Sequence, residues 1–447
     1  MMLLAVARRV TVGVIVSGLL AATATASAES AAAPTPRIVV VASRLLDVRT
    51  GHYLNDAAIY IEGERIRAVG PAQAVLTSVK ADAASVIDLR GATVLPGLID
   101  CHTHLMARIP DGDGGYGLNL LTKSEAYRAL EGAADARKTL RAGFTTVRDV
   151  ENEGSGYADV ALRDAINAGL VEGPRMLVAT RGIAAVGQYQ PFGIRPDLAA
   201  FPTGAQMISG VDEARRAVRE QIGHGADVIK IYADWVYPTL TVDEMRVIVE
   251  EAHKAGRKVA AHATTAEGIR NAVIAGVDSV EHGHGADKAA LQLMKSKGTY
   301  LVPTLSVIDT SMEKHFGTSP YSARALAFLD SLKRTMAMAR EMGVKIADGS
   351  DPSDSDGHGR NAQELEAMTK RGLTPLEAIR SATVSAADLI GWPDKVGAIE
   401  AGYYADIVAV QGDVTTDITT LQRIVFVMKG GEVIVNNIAA PNAQASR

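Results

Sequence analysis

The sequence is poor in cysteine: Cys101 is the only one among 447 residues. A single cysteine excludes an internal disulfide, and the chain does not need one because 47% of its residues are hydrophobic and can form a large core. An excess of basic residues is lacking too, since 46 lysines and arginines stand against 51 aspartates and glutamates, giving a net charge of −5. This balance speaks against a nucleic-acid partner, which requires a basic surface.

The sequence near the N-terminus also lacks an apolar run long enough to cross a membrane readily. The apolar run over residues 10–22 is too short to do so, and it has the features of a secretory signal peptide, because two arginines precede it and an Ala-Ser-Ala motif at residues 26–28 follows it. We predict a signal peptide over residues 1–28 and a linker over residues 29–36. The expected location is the periplasm or the medium, with no membrane attachment after cleavage. The export route and homo-oligomerisation stay open.

Both ends of the remaining chain have the alternating pattern of short β-strands. Residues 37–95 alternate apolar and polar side chains, with a turn at EGER (residues 62–65). Residues 396–440 repeat this pattern, with a hairpin at Gly430-Gly431. We predict that the two segments together form a small β-sandwich domain.

The middle of the chain, residues 96–395, alternates strands with helices. Eight short apolar strands are predicted, and helical segments separate most of them; one helix starts with a capping box of Thr241 and Glu244. This alternation predicts an α/β fold, a parallel (β/α)8 TIM barrel. Residues 105–145 and 183–212 interrupt the rhythm, and we expect long functional loops there.

Polar groups that can bind metal lie at the ends of several predicted strands. Reactive groups of barrel enzymes come from the C-terminal ends of the strands. The residues at these ends are His102, His104, Lys230, His262, His282 and Asp351. Each has an ordinary alternative: a histidine that only forms hydrogen bonds, an aspartate that caps a helix, a lysine that extends along the surface. Together they make a metal site the simplest interpretation.

Lys230 is unusual because the segment VIKIY, residues 228–232, reads as a buried strand. A buried lysine that is not paired tends to lose its proton. The neutral amine can react reversibly with CO₂ to form a carbamate. Such a carbamate is an anion with two oxygens and can bridge two metal ions, so we interpret Lys230 as N6-carboxylated.

Several stretches of the sequence resemble the amidohydrolase superfamily in its binuclear-metal subtype. They are LPGLIDCHTHL, VIKIY, VAAHATT, VEHG and IADGSD. The resemblance implies two divalent ions, by default Zn²⁺, and a bridging hydroxide as the nucleophile, with Asp351 as general acid and base. The implied ligands are His102, His104 and Asp351 for one ion, His262 and His282 for the other, and carboxylated Lys230 between them.

The deaminase branch of the superfamily is an alternative. It uses one metal ion, lacks the bridging lysine and has a glutamate shortly after the histidine of the fifth strand. Glu267 follows His262 by five residues. The lysine in VIKIY nevertheless favours the binuclear branch.

The expected substrate also comes from the resemblance. The stretches VIKIYADW, GRKVAAHATTAEGI and AGVDSVEHG are similar to imidazolonepropionase-like metallo-carboxypeptidases and dipeptidases, some of them prolidase-like, and to ochratoxin-hydrolysing amidohydrolases. This implies hydrolysis of an amide bond in a small molecule or dipeptide, with an amino acid carrying a free carboxylate as the leaving group. Cyclic-amide or lactone hydrolysis at the same site, and a metal-binding barrel without activity, are the alternatives.

Four further residues are candidates for substrate contacts. Tyr232 lies two residues beyond Lys230, on the same strand face, and is the first candidate for binding the substrate carboxylate; a core tyrosine is its alternative. Arg148 has the alternative of pairing with an acid at a strand end. His284 and His358 have the alternative of being loop residues.

Overall fold

The computed structural model describes most of the chain between residues 35 and 438. The described residues are 35–79, 84–108, 115–187, 189, 202–235, 237–317, 319–353 and 356–438. The predicted signal peptide and residues 29–34 of the predicted linker lie outside this part. Within it, the structure contains no helix that is both long and apolar enough to cross a membrane.

The strands fall into two groups, one at the two ends of the described chain and one in its middle. In chain order they are β1 (Arg37–Leu46), β2 (Tyr53–Glu62), β3 (Arg65–Pro71), β4 (Ser85–Pro96), β5 (Leu98–Thr103), β6 (Phe144–Asp149), β7 (Arg175–Val178), β8 (Gly182–Ala185), β9 (Ala205–Ile208), β10 (Val228–Tyr232), β11 (Lys258–Ala263), β12 (Ser279–His282), β13 (Tyr300–Val302), β14 (Ile407–Val410), β15 (Ile424–Lys429) and β16 (Glu432–Asn436).

Most helices follow the strands of the middle group. In chain order they are α1 (Ala72–Ser78), α2 (Gly115–Thr122), α3 (Glu125–Arg141), α4 (Ala158–Asn167), α5 (Val211–Gly223), α6 (Val242–Lys254), α7 (Ala266–Ala275), α8 (Lys288–Lys297), α9 (Leu305–Phe316), α10 (Ala323–Met342), α11 (Gln363–Lys370), α12 (Pro375–Ser381) and α13 (Val384–Leu389).

A seven-stranded sheet combines strands from both ends of the described chain in the order β16-β15-β14-β4-β1-β2-β3. The predicted turns are confirmed, because Glu62 pairs with Arg65 and Lys429 pairs with Glu432. Apolar side chains are buried on both faces of the sheet: Val39 packs with Val75 of α1 in one cluster, while Val40 belongs to another. This is the small β-sandwich domain of the fold.

The middle strands are the parallel strands of a (β/α)8 barrel. β5-β6-β7 make one sheet, and β13-β12-β11-β10-β8-β9 make another. The amide of Asp227, next to β10, donates to the carbonyl of Val178 in β7 at 2.8 Å and so joins the two sheets. The fold class expected from the alternation of strands and helices is therefore confirmed.

The eighth barrel strand is less regular than the sequence predicts. The segment VKIADGSD forms one isolated bridge, between Ile346 and Leu301 of β13. It still closes the barrel, because Cys101 N of β5 donates to Asp348 O at 2.9 Å and Asp351 N donates to His102 O at 2.8 Å. The bridge to β13 on one side and the hydrogen bonds to β5 on the other thus place Asp351 beside β5, the first strand of the barrel.

The prediction of a long loop over residues 105–145 is wrong. The 17-residue helix α3 occupies most of its second half, and Ser124 begins it by accepting a hydrogen bond from Tyr127 N. Helix α2 precedes it. In the second predicted loop, residues 183–212, strands β8 and β9 pair in parallel, and residues 190–201 lie outside the described part.

Helix α6 shows how the outer layer of the barrel is specified. The predicted capping box is present: Glu244 N donates to Thr241 Oγ1 at 3.2 Å, and Thr241 N donates to the Glu244 carboxylate at 2.8 Å. The buried face of the helix includes Met245, Ile248 and Ala252, at helical spacing. Hydrophobic burial of such faces holds the barrel strands, and with them the residues at the strand ends, in fixed positions.

Candidate metal centre

All six predicted metal ligands lie at the C-terminal ends of barrel strands or directly after them. His102, Lys230, His262 and His282 are in β5, β10, β11 and β12. His104 follows β5, and Asp351 is the last residue of the segment that closes the barrel. Because parallel strands all end on the same side, the fold brings the six residues to one mouth of the barrel.

Three of these residues form a compact group that can hold a metal ion. Ligand atoms of His102, His282 and Asp351 all lie within 4.8 Å of one another. His102 Nε2 is 3.8 Å from Asp351 Oδ1, and His282 Nδ1 is 3.9 Å from Asp351 Oδ2. Asp351 therefore stands between two histidines from opposite parts of the barrel.

The other two histidines adjoin this group. His104 Nε2 lies 3.2 Å from His102 Nε2 and 3.5 Å from Asp351 Oδ1. The ring centres of His262 and His282 are 4.5 Å apart. The compact group thus draws one histidine from each implied set of ligands, and the assignment of the residues to two separate ions stays a prediction.

Burial keeps the imidazoles in the form that binds metals. Desolvation lowers the pKa of His102, His262 and His282 well below its usual range, and the nearby Lys230 lowers each of them further. A neutral imidazole has a free lone pair for a metal ion, whereas a protonated one has none. The donor set of neutral nitrogens with one carboxylate fits a divalent transition metal such as Zn²⁺.

Glu281 and Arg148 lie behind His102, on the side away from the other members of the compact group, which we call the metal group from here on (His102, His282 and Asp351). Glu281 Oε2 lies 2.7 Å from His102 Nδ1, and Arg148 Nη2 donates to Glu281 Oε1 at 2.9 Å. Arg148 also donates to Cys101 O at 2.6 Å and to Ser279 Oγ at 3.0 Å. The sequence analysis missed Glu281, although a glutamate inside the apolar strand SVEH is as unusual as the lysine inside VIKIY.

The backbone at the site adopts an uncommon conformation. His282, Thr304 and Asp351 all have positive φ angles, of 69°, 48° and 53°. His282 Nδ1 is 2.7 Å from Thr304 Oγ1, so two of these residues are in direct contact. Left-handed backbone in residues other than glycine costs free energy and clusters at functional sites, where the surrounding structure enforces it.

Lys230 lies inside the barrel with 1% of its surface exposed. Desolvation lowers the pKa of Lys230, while the carboxylates of Glu281, Glu151 and Asp351 oppose that shift. The neutral amine is the form that reacts with CO₂, and the carboxylation of Lys230 stays a prediction. Its Nζ lies 5.5 Å from the ring centre of Tyr232.

Two glutamates that follow β6 border the site and were also missed. Glu151 accepts hydrogen bonds from the hydroxyls of Tyr232 and Tyr189, the latter at 2.9 Å. Glu153 accepts one from Tyr116, and its Oε1 lies 3.0 Å from His104 Nδ1, at an angle outside hydrogen-bond geometry. Acids directly after a barrel strand carry the same positional signal that identified the histidines.

Burial shifts the acid–base behaviour of these groups. Desolvation raises the pKa of Glu151 to about 8, and the neighbouring Glu153 adds to the shift. Desolvation also raises the pKa of the Tyr232 phenol well above its usual range. Near neutral pH Tyr232 is therefore an uncharged hydrogen-bond donor.

The remaining predicted substrate residues occupy different surroundings. Arg148 is buried beneath the metal group, where it pairs with Glu281. The His284 ring lies 5.5 Å from that of His282, and desolvation lowers the pKa of His284 to about 4. His358 is buried, and neither ring nitrogen has a hydrogen-bond partner among the described residues. Their roles toward a substrate stay predictions.

Comparison with known proteins gives the family. Residues 93–434 match the model of the amidohydrolase family. The ochratoxinase of Aspergillus niger is 32% identical over 436 residues, covering 89% of this chain and 86% of that protein. The crystal structure of an Xaa-Pro dipeptidase with bound methionine is 33% identical with a TM-score of 0.79, covering 89% of this chain and 99% of that one. The crystal structure of A. niger ochratoxinase is 29% identical with a TM-score of 0.77, covering 93% and 99%.

Proposed function

This chain belongs to the amidohydrolase family, a family of hydrolases that act on carbon–nitrogen bonds, and we propose that it hydrolyses the amide bond of a dipeptide or N-acyl amino acid. The observation that carries the proposal is the compact group of His102, His282 and Asp351, with Lys230 among the residues at the same barrel mouth. A barrel that served only to bind a ligand would have no need of a carboxylate placed between metal-binding histidines. We further propose that the protein is exported.

Two divalent ions, by default Zn²⁺, are proposed as cofactors. His102, His104, His262, His282 and Asp351 would hold them, with carboxylated Lys230 as the shared anionic ligand. Bound ions of this kind lower the pKa of water toward about 7 and polarise a substrate carbonyl. Carboxylation balances the charge, because five neutral or singly charged ligands would otherwise face two dications.

Asp351 is proposed as the general acid and base. Its carboxylate faces His102, His104 and His282, and desolvation raises its pKa to about 8, against the opposing charge of Lys230. In this role it accepts the proton that the attacking water gives up and passes it to the nitrogen of the leaving amino acid. A bound dication would lower the pKa of its carboxylate ligand, so Asp351 would be ionised and able to accept that proton once metal is bound.

The proposed leaving group is an amino acid with a free carboxylate. Support comes from the names of two similar proteins, an ochratoxinase and an Xaa-Pro dipeptidase. Tyr232 is the proposed hydrogen-bond donor to that carboxylate, because its hydroxyl is neutral. In this structure the hydroxyl donates to Glu151, so its single hydrogen would turn from Glu151 to the substrate on binding. Amides of the ochratoxin type fall within this class.

A substrate library tests the proposal. Metal-replete protein is incubated with dipeptides, N-acyl amino acids, ochratoxin A, cyclic amides and lactones, and released amino acids are identified by mass spectrometry. We expect release from the first three classes, loss of activity on chelation and recovery with Zn²⁺. Turnover of cyclic amides or lactones alone would support the alternative reaction, and bound metal without turnover of any class would support a binding protein.

Asp351→Asn is the matched variant for the same assay. Asparagine tolerates the left-handed backbone that residue 351 adopts, so this substitution removes the acid without straining the chain. We expect kcat to fall by about 100-fold or more while metal stays bound. Unchanged turnover would remove Asp351 from the proposed mechanism.

A further inference from the structure

Helices α9 and α10 line an open apolar cavity of about 620 Å³. Its apolar lining consists of Val307, Ile308, Met312, Phe316, Ala325 and Phe328. Except for Ala325, these side chains are only partly buried. We propose that this cavity, called here the α9–α10 pocket, binds a long apolar acyl group of the amide substrate; the proposal rests on the function proposed above.

The pocket adjoins residues that contact histidines of the metal centre. Thr304, the residue that precedes α9, contacts the proposed ligand His282 through its hydroxyl at 2.7 Å. Val307 and Ile308 follow within about one helical turn. On the other side, the ring of Phe328 lies 6.1 Å from that of His284, which is 5.5 Å from the ring of His282. Two separate series of contacts thus connect the pocket with the proposed site of hydrolysis.

The shape of the pocket fits an extended chain. It follows α9 from Val307 to Phe316, nine helical steps and therefore roughly 14 Å along the helix. His315 and Arg324 are its charged or titratable lining residues, and both are exposed. An acyl group on the side of the amide opposite the leaving amino acid can extend along this apolar surface, while the carboxylate of the leaving group stays near Tyr232.

The occupant is therefore the acyl part of the substrate, and this favours N-acyl amino acids with long chains over short dipeptides. Burial of even two methylene groups accounts for about a tenfold preference. We expect kcat/KM for an N-decanoyl amino acid to exceed that for its N-acetyl counterpart by about tenfold or more. Both substrates carry the leaving amino acid that the library identifies.

Three variants test the location. Ser311 lines the pocket at an exposed position, so Ser311→Trp fills it without disturbing the core, and Phe328→Ala removes a wall. Both should bring the decanoyl and acetyl substrates to nearly equal kcat/KM and leave hydrolysis of the acetyl substrate unchanged. Leu326→Ala is the matched control, because Leu326 is 50% exposed on the same helix and does not line the pocket.

Binding measurements separate this proposal from the proposed reaction. N-decanoylglycine and N-acetylglycine are titrated into the metal-replete protein by calorimetry, which does not require turnover. Tighter binding of the decanoyl compound, lost in Ser311→Trp, supports the pocket even if no amide is cleaved. The proposal is overturned when the preference for the decanoyl over the acetyl compound is the same in the parent, in Ser311→Trp and in Phe328→Ala. A change of oligomeric state in Ser311→Trp, with chain-length preference kept, assigns the surface to a second copy of the chain and also overturns it.

Discussion

His102 Nδ1 lies 2.7 Å from Glu281 Oε2, and this contact fixes which nitrogen of the imidazole is free to bind metal. With Nδ1 held by the carboxylate, Nε2 points toward Asp351, 3.8 Å away. Arg148 holds Glu281 from the other side at 2.9 Å, so the arrangement is a buried series of three charged or polar groups. Carboxylates in this position orient a histidine ligand and strengthen its donation to the metal.

Glu281→Gln should therefore weaken metal binding. Glutamine keeps the size of the side chain and removes the negative charge that both His102 and Arg148 face. We expect the affinity for Zn²⁺ to fall by about 10- to 100-fold, measured by competition with a chromogenic chelator.

Asp406→Asn is the control for Glu281→Gln. Asp406 is another buried acid paired with an arginine, Arg175, at 3.1 Å, but it lies next to β14, outside the metal group. Both variants should lose stability, because each leaves an arginine without its partner. An equal loss of metal affinity in the two variants would show that the effect of Glu281→Gln is general destabilisation.

Lys230→Ala should lose metal because the shared anionic ligand is missing. We expect inductively coupled plasma mass spectrometry to find fewer equivalents of Zn²⁺ per chain than in the parent. Activity should recover in part when a short carboxylate such as propionate is added. Lys258→Ala is the control, since Lys258 lies in the neighbouring strand β11 but at its N-terminal end, where it pairs with Asp278. Full metal content in Lys230→Ala would mean that the lysine does not hold the ions.

Tyr232→Phe tests recognition of the substrate carboxylate. The change removes one hydroxyl and keeps the ring, which lies 4.8 Å from the ring of Tyr189. KM for an N-acyl amino acid should rise by about tenfold, as expected for loss of a hydrogen bond to a charged group. The corresponding amide without a carboxylate should show no such change.

Tyr189→Phe provides the comparison for Tyr232→Phe. Both hydroxyls donate to Glu151, so both variants disturb the same buried carboxylate. Only Tyr232 lies on the strand that carries Lys230. The same rise of KM in both variants would assign the effect to Glu151 rather than to contact between Tyr232 and substrate.

The sequence predicted those parts of the molecule that depend on local periodicity. The barrel, the capping box at Thr241 and the placement of His102, Lys230 and His282 at strand ends follow from helix and strand periods together with the rule that parallel strands end on one side. The prediction of a loop over residues 105–145 was wrong because the N-cap at Ser124 was overlooked.

Contacts between residues far apart in the sequence could not be predicted from local periodicity. Glu281 is 179 residues from His102, and Arg148 is 131 residues from Ser279, so their pairing depends on how the strands are staggered around the barrel. The α9–α10 pocket depends on how two helices are placed relative to each other. No local pattern encodes the gap left between them.

His358 should make stability depend on pH. Burial lowers the pKa of His358 to about 4, whereas an unfolded histidine has a pKa near 6.5. Between these values the unfolded chain binds a proton that the folded chain does not, so the contribution of His358 is complete above pH 6.5 and is lost as the pH falls toward 4. At pH 5 the loss is about 2 kcal/mol.

His358→Leu should remove this dependence, because leucine has no group to titrate and the ring nitrogens of His358 have no hydrogen-bond partner among the described residues. Urea unfolding of metal-replete parent and variant is measured at pH 7 and pH 5, and the difference between the two proteins isolates residue 358 from the histidines of the metal centre. We expect the variant to lose about 2 kcal/mol less than the parent on acidification. His52→Leu, at an exposed histidine, should behave as the parent does. A parallel loss in parent and His358→Leu would mean that the buried ring is protonated in the folded protein at pH 5.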